Sequence, residues 1–97
     1  MQKSGLRQKL INEICKLAEK YEIEQVILFG SRARGDYHKT SDIDLAVCGG
    51  DIVRFSLDVE EETPTLLKYD IVNLDGAVQD ALLASIQKEG KVLYEKV

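Results

Sequence analysis

Asp42 and Asp44 stand two residues apart at the head of an apolar run, Ile43-Asp44-Leu45-Ala46-Val47-Cys48. In an extended strand a period of two sets both carboxylates on one face, with Cα atoms roughly 6.5–7 Å apart. Two carboxylates that close repel each other and cost stability unless a cation lies between them. Hard divalent cations such as Mg²⁺ take oxygen ligands, commonly one or two carboxylates plus substrate phosphate oxygens. Two such ions roughly 3.5–4 Å apart clamp the attacking and leaving oxygens of an in-line phosphoryl displacement. Asp-x-Asp alone also marks ordinary strand starts and polar turns, so it needs company to mean chemistry.

That company lies upstream and downstream. The run Gly30-Ser31-Arg32-Ala33-Arg34-Gly35 follows a buried-looking strand. A glycine at a strand end lets backbone approach a phosphate closely, and a serine at a helix start offers a hydroxyl and free N–H groups. The segment Ser31–Thr40 carries Arg32, Arg34 and Lys39 against Asp36, a basic stretch that suits a triphosphate. An ordinary capping serine with two solvated arginines would read the same way. Asp70 is the third element, a charge amid β-formers, where it needs a reason. If its strand pairs beside Asp42–Val47, at ~4.8 Å, Asp70 reaches the other two carboxylates. It could then complete a metal shell and accept the proton of an attacking hydroxyl. Pairing with Lys68 or a helix lysine on an exposed face is the plainer alternative.

The elements that must position these residues follow from periodicity. Leu6, Leu10, Ile14, Leu17 and Tyr21 fall on one helix face, with Ser4 as N-cap and Lys16 and Lys20 at the negative end. Val26-Ile27-Leu28-Phe29 is apolar on both faces, which predicts a central strand covered by helices on at least one side. Ser41–Cys48 predicts a second strand, with Asp42 and Asp44 on one face and Ile43 and Leu45 on the other. Gly49-Gly50 closes it. Asp51 then caps a short helix with the stripe Ile52, Phe55 and Val59, running into Glu60-Glu61-Glu62 and a break at Pro64. Leu66–Leu74 predicts a third strand, with Leu67, Tyr69, Ile71 and Asn73 facing opposite to Lys68, Asp70 and Val72. Asp75 is read as the cap of a last helix carrying Val78, Leu82 and Ile86, ended by Gly90. Lys91–Tyr94 makes a short edge strand. This order predicts an α/β (α+β) domain, a small mixed sheet of about four strands with helices packed against it.

Length and composition bound the possibilities. The 97 residues predict one domain over 1–97, and 44% apolar with 31% charged residues excludes intrinsic disorder. No apolar stretch approaches the ~20 residues of a membrane helix, and polar Met1–Gln8 offers no secretion signal. Cys15 and Cys48 make no disulfide framework, so a cytoplasmic setting is expected. Thirteen basic against seventeen acidic residues give a net charge of −4, which argues against direct nucleic-acid binding. His38 is read as a solvated loop residue, Cys15 and Cys48 as small hydrophobes, and Tyr37 and Tyr69 as packing groups that could also stack on a base.

Taken together, Leu28-Phe29-Gly30-Ser31, the spacer to Ser41, Asp42-Ile43-Asp44-Leu45 and a later Asp resemble a known signature. It is that of the DNA polymerase beta-like nucleotidyltransferase superfamily. Gln25–Leu74 carries the diagnostic part, and the small size with Gly-Ser-Arg-x-Arg-Gly resembles its minimal nucleotidyltransferases, encoded beside a HEPN-domain partner. The resemblance implies a polymerase beta palm-like fold. It also implies that Gly30 and Ser31 hold the β- and γ-phosphates of ATP or another nucleoside triphosphate. Asp42 and Asp44 would bind two Mg²⁺ ions, with Asp70 as third carboxylate, metal ligand and candidate base. Arg32 or Arg34 would add a phosphate contact, and spacing does not choose between them. Asp75, of opposite parity to Asp70, is left to capping. The implied activity is Mg-dependent transfer of a nucleoside monophosphate, AMP from ATP, to a HEPN-domain protein whose toxicity it neutralises. The larger relatives' acceptor-gripping second domain does not fit in this length, so a partner chain is expected to supply the acceptor. The competing reading is a non-catalytic antitoxin that blocks its partner by contact; three retained carboxylates favour the enzyme.

Overall fold

Strands β1 (Gln25–Phe29), β2 (Ile43–Cys48), β3 (Tyr69–Asn73) and β4 (Lys91–Glu95) form one mixed sheet in the order β3-β2-β1-β4. This is seen in a computed structural model that describes residues 6–63 and 65–97. β1 runs antiparallel to both β2 and β4, while β2 and β3 are parallel and are joined by the crossover helix α3 (Ile52–Glu62). Helices α1 (Gln8–Lys20), α2 (Ser31–Arg34) and α4 (Asp80–Glu89) complete the order read from the sequence.

The apolar run of β1 is buried because it feeds two cores at once. Val26 and Leu28 face the larger core with Ile14, Leu17, Phe55 and Val59 of α1 and α3. Phe29, with Ile27 beside it, faces a smaller cluster with Ala46, Val72, Leu82 and Ile86 under α4. α1 carries the expected stripe Leu10, Ile14 and Leu17, widened by Ile11 and Ala18. Its chain enters the helix extended at Arg7, and the expected cap at Ser4 lies outside the described residues. α3 starts as its sequence dictates: Asp51 Oδ1 accepts from the Arg54 N–H at 3.2 Å, and Ile52, Phe55 and Val59 are buried.

Three expectations are corrected. The second strand begins at Ile43 rather than Ser41, which leaves Asp42 just before it. The third strand is shorter than Leu66–Leu74; the ladder begins at Tyr69, and Leu66 is fully exposed in the connection before it. Asp75 does not cap the last helix. α4 begins only at Asp80, after Gln79 in extended backbone, and the Asp75 carboxylate instead accepts from the Gly49 N–H at 2.8 Å. Asp75 lies two residues beyond β3, so the end of neighbouring β2 is a nearer partner than a helix that starts five residues on. Its own N–H is satisfied by Asn73 Oδ1 at 2.8 Å, an Asx turn that fixes the exit from β3. Among the described residues no helix is long and apolar enough to cross a membrane.

Candidate active site

Register brings the carboxylates together. Asp44 is the Cα partner of Phe29 in β1 and of Asp70 in β3. Directly paired residues of neighbouring strands point to the same side of a sheet, and so do residues two apart on one strand. Asp44 and Asp70 therefore share a face, and Asp42, one residue before β2 begins, lies near enough for its charge to act on Asp44. The shared face is the α4 face, where the small cluster of Phe29, Ala46 and Val72 gives way to water. Asp42 and Asp70 are exposed and Asp44 is half-buried.

The electrostatics follow from this crowding. The Asp44 carboxyl is pushed above the ordinary carboxylate value, first by burial, then by the charges of Asp70 and Asp42, with Arg34 opposing. Carboxylate oxygens gathered in this way are the donor chemistry a hard divalent cation takes. Among the described residues no three His, Cys, Asp or Glu side chains enclose an ion by themselves. Phosphate oxygens and water would have to complete the shell, as they do for Mg²⁺ in phosphoryl-transfer sites.

Gly30 joins β1 to α2 with φ +74° and ψ −155°. That region of backbone conformation is essentially closed to residues with a side chain. A Cβ built there would overlap Asp44 Oδ2 and lie 3.1 Å from Asp44 Cγ. The glycine therefore has a job that spacing did not reveal. It makes room for the half-buried carboxylate and lets the Gly30-Ser31 turn abut it. Its carbonyl accepts from the N–H groups of Ala33 and Arg34 at 3.1 and 3.0 Å, which starts the single turn of α2, and Gly35 ends it in left-handed backbone.

The two arginines of that turn diverge. Arg32 is 2% exposed, and its guanidinium donates to the carbonyls of Ser41, Lys39 and His38 at 3.1, 3.3 and 3.5 Å. It also lies over the Tyr37 ring, 4.8 Å from the centroid. Arg34 is exposed; it pairs with Glu89 of α4 at 3.0 Å and with Asp36 at 3.2 Å. Exposed pairs of this kind are weakened by solvent screening, so they yield readily to a stronger anion. Glu89 is a residue that the sequence reading missed, since nothing in its spacing links it to Arg34.

The remaining candidates sit outside the carboxylate face. Tyr37 packs against Arg32, and the Tyr69 hydroxyl meets that of Thr63 at 2.7 Å. His38 is exposed in the loop, its N–H donating to Ser41 Oγ at 2.7 Å. Cys15 Sγ donates to the Leu93 carbonyl at 3.3 Å. A concavity of about 480 Å³ lined by Glu22, Glu24, Gln25, Cys48, Glu95 and Lys96 lies at the opposite end of β1 and β2 and contains no candidate site residue.

Residues 12–97 match the family model described as Polymerase beta, Nucleotidyltransferase. The chain is 37% identical over 100 aligned positions to "Putative protein adenylyltransferase MJ0604" of Methanocaldococcus jannaschii, covering 90% of this chain and 97% of that one. The solved structure of a "putative minimal nucleotidyltransferase" superposes with a TM-score of 0.69 at 27% identity, over 94% of this chain and 95% of the other. The crystal structure of a toxin-antitoxin with AMP-PNP gives a TM-score of 0.67 at 28% identity, over 89% of this chain and 73% of that chain. The family model spans residues 12–97 and the similar adenylyltransferase-named protein aligns over 90% of the chain, which therefore belongs to the polymerase beta nucleotidyltransferase family.

Proposed function

We propose that this nucleotidyltransferase moves AMP from ATP to a side-chain hydroxyl of a partner protein, as the antitoxin half of a toxin-antitoxin pair. The observation that carries the site is the register that seats Asp44 between Asp70 and the Gly30 turn. The protein acceptor is supported by the relative named as a protein adenylyltransferase, and the nucleotide and the pairing by the toxin-antitoxin structure with AMP-PNP. The partner expected from the sequence resemblance is a HEPN-domain protein, meeting this chain in the cytoplasm, with residues 1–97 acting as one catalytic domain.

Asp42, Asp44 and Asp70 would hold two Mg²⁺ ions, which when bound neutralise the charge that grows on the phosphoryl oxygens during transfer. The Gly30-Ser31 turn cradles the β- and γ-phosphates. Arg34 exchanges its Glu89 and Asp36 partners for a phosphate, a trade favoured because charge-assisted bidentate pairs with phosphate are the stronger ones. The acceptor oxygen bonds to the α-phosphorus, the bond from that phosphorus to the bridging oxygen breaks, and pyrophosphate departs. Asp70 takes the proton of the attacking hydroxyl, since it is exposed to an incoming chain.

Incubating the protein with its co-encoded partner, Mg²⁺ and each of the four ribonucleoside triphosphates tests this by intact-mass spectrometry. The expected result is a partner heavier by one or more AMP units, with ATP preferred. A partner neutralised at unchanged mass with every triphosphate would establish inhibition by contact instead.

A further inference from the structure

Asp42 lies just outside the ladder: β2 begins at Ile43, and Asp42 itself is exposed. The chain that delivers it, residues 36–41, has no regular secondary structure beyond a turn at 39–40. Something else must hold the first carboxylate in place. The largest fully buried side chain in the described protein is that of Arg32, and it is spent on this loop. Its Nε–H donates to the carbonyl of Ser41, the peptide unit that leads directly into Asp42, at 3.1 Å. Its Nη2 reaches the carbonyls of Lys39 and His38 at 3.3 and 3.5 Å, and Tyr37 from the same loop lies against its guanidinium face. The backbone of Arg32 belongs to α2, immediately after Ser31.

We propose that Arg32 is the positioning residue of this site, tying the Gly30-Ser31 turn to the Asp42 backbone so that the nucleotide side and the carboxylate side keep a fixed separation. This rests on the reading of Asp42, Asp44 and Asp70 as the ion-holding group. It separates the two arginines of the Gly-Ser-Arg-x-Arg-Gly run. Arg34 is left for the ligand, and Arg32 acts on the ligand only through the loop. A buried, stacked, multiply donating guanidinium is not replaceable by an ammonium of equal charge, because lysine offers neither the planar face nor the fork of donors. Groups that orient metal-binding side chains typically govern metal affinity by 10–100-fold.

Two measurements on Arg32→Lys test this. The first needs no activity: amide hydrogen exchange should accelerate across residues 37–42 while β1 and the buried face of α1 keep wild-type protection. In the second, MnCl₂ is titrated by electron paramagnetic resonance in the presence of a non-hydrolysable ATP analogue. Affinity for the ion should fall about tenfold or more, while binding of the analogue in EDTA stays as in wild type. Tyr37→Leu, which removes only the stacking face, should show both effects in weaker form and keeps the test open should the lysine variant fold poorly. Wild-type exchange and ion affinity in Arg32→Lys would overturn the proposal. So would loss of metal-free analogue binding alone, since Arg32 would then be a direct phosphate contact. If wild type itself takes up no Mn²⁺ with the analogue, the reading of the carboxylates falls, whatever the exchange data show for the loop.

Discussion

Asp44→Asn is expected to abolish nucleotidyl transfer and to leave the ligand-free protein at least as stable as wild type. Removing one charge from the proposed ion-holding group forfeits several kcal/mol of transition-state stabilisation, and at 1.36 kcal/mol per decade that is a loss of about three orders of magnitude or more in rate. The stability effect runs the other way. Folding pushes the Asp44 carboxyl above its ordinary value, through burial first and then through Asp70 and Asp42. The folded protein thus holds this proton more tightly than the unfolded chain. Its contribution to stability falls as pH rises through the carboxylate range, and at neutral pH the full penalty is in force. Asparagine is isosteric and uncharged, so the variant should lose this slope and melt at or above the wild-type temperature at pH 7. Thermal melts of both proteins from pH 4 to pH 7 without divalent ions check it. A large destabilisation of Asp44→Asn at pH 7 would mean that the carboxylate is structural.

Gly30→Ala should damage the fold and the candidate site together. The backbone there, φ +74° and ψ −155°, is nearly exclusive to glycine. Forcing alanine into it costs about 1–3 kcal/mol, which for a domain of this size lowers the melting temperature by roughly 5–20 °C. The new methyl would also meet Asp44 Oδ2, so relief of strain must displace either the carboxylate or the turn. A displacement of about 1 Å at a reacting centre can cost about a hundredfold in rate. Transfer should therefore fall by that factor or more even in the fraction that stays folded. Gly30→Ala with wild-type melting and activity would contradict the packing of the turn against Asp44.

Much of this site was legible in the sequence because period two is a strong constraint. Period two pairs Asp42 with Asp44 in extended chain, and the apolar run at 43–48 left few alternatives to a strand, although β2 itself begins only at Ile43. The proximity of Asp70 required one further step, that β3 pair beside β2, and a connection through the helix stripe of Ile52, Phe55 and Val59 made a parallel neighbour natural. The misses have a common origin. Asp75 was assigned to its nearest downstream helix because capping is local, whereas its actual partner, Gly49, is adjacent only once β2 and β3 are paired. Arg32 and Arg34 look equivalent in one dimension. Two residues of helix, just over half a turn, separate them, sending one guanidinium under the 37–41 loop and the other toward Glu89. The burial of Arg32, like the space Gly30 leaves for Asp44, is a tertiary fact with no periodic signature.

The central claim, that these carboxylates serve nucleotidyl transfer to a partner chain, is tested most directly by following the phosphorus. The protein and the proposed HEPN-domain partner are incubated with Mg²⁺ and ATP labelled either at the α- or at the γ-phosphate, and label on the partner is measured after denaturing separation. The account predicts label from α-phosphate only, released pyrophosphate in equal amount, and no transfer with Asp44→Asn. Label arriving from the γ-phosphate, or a partner neutralised without label from either position, would contradict it.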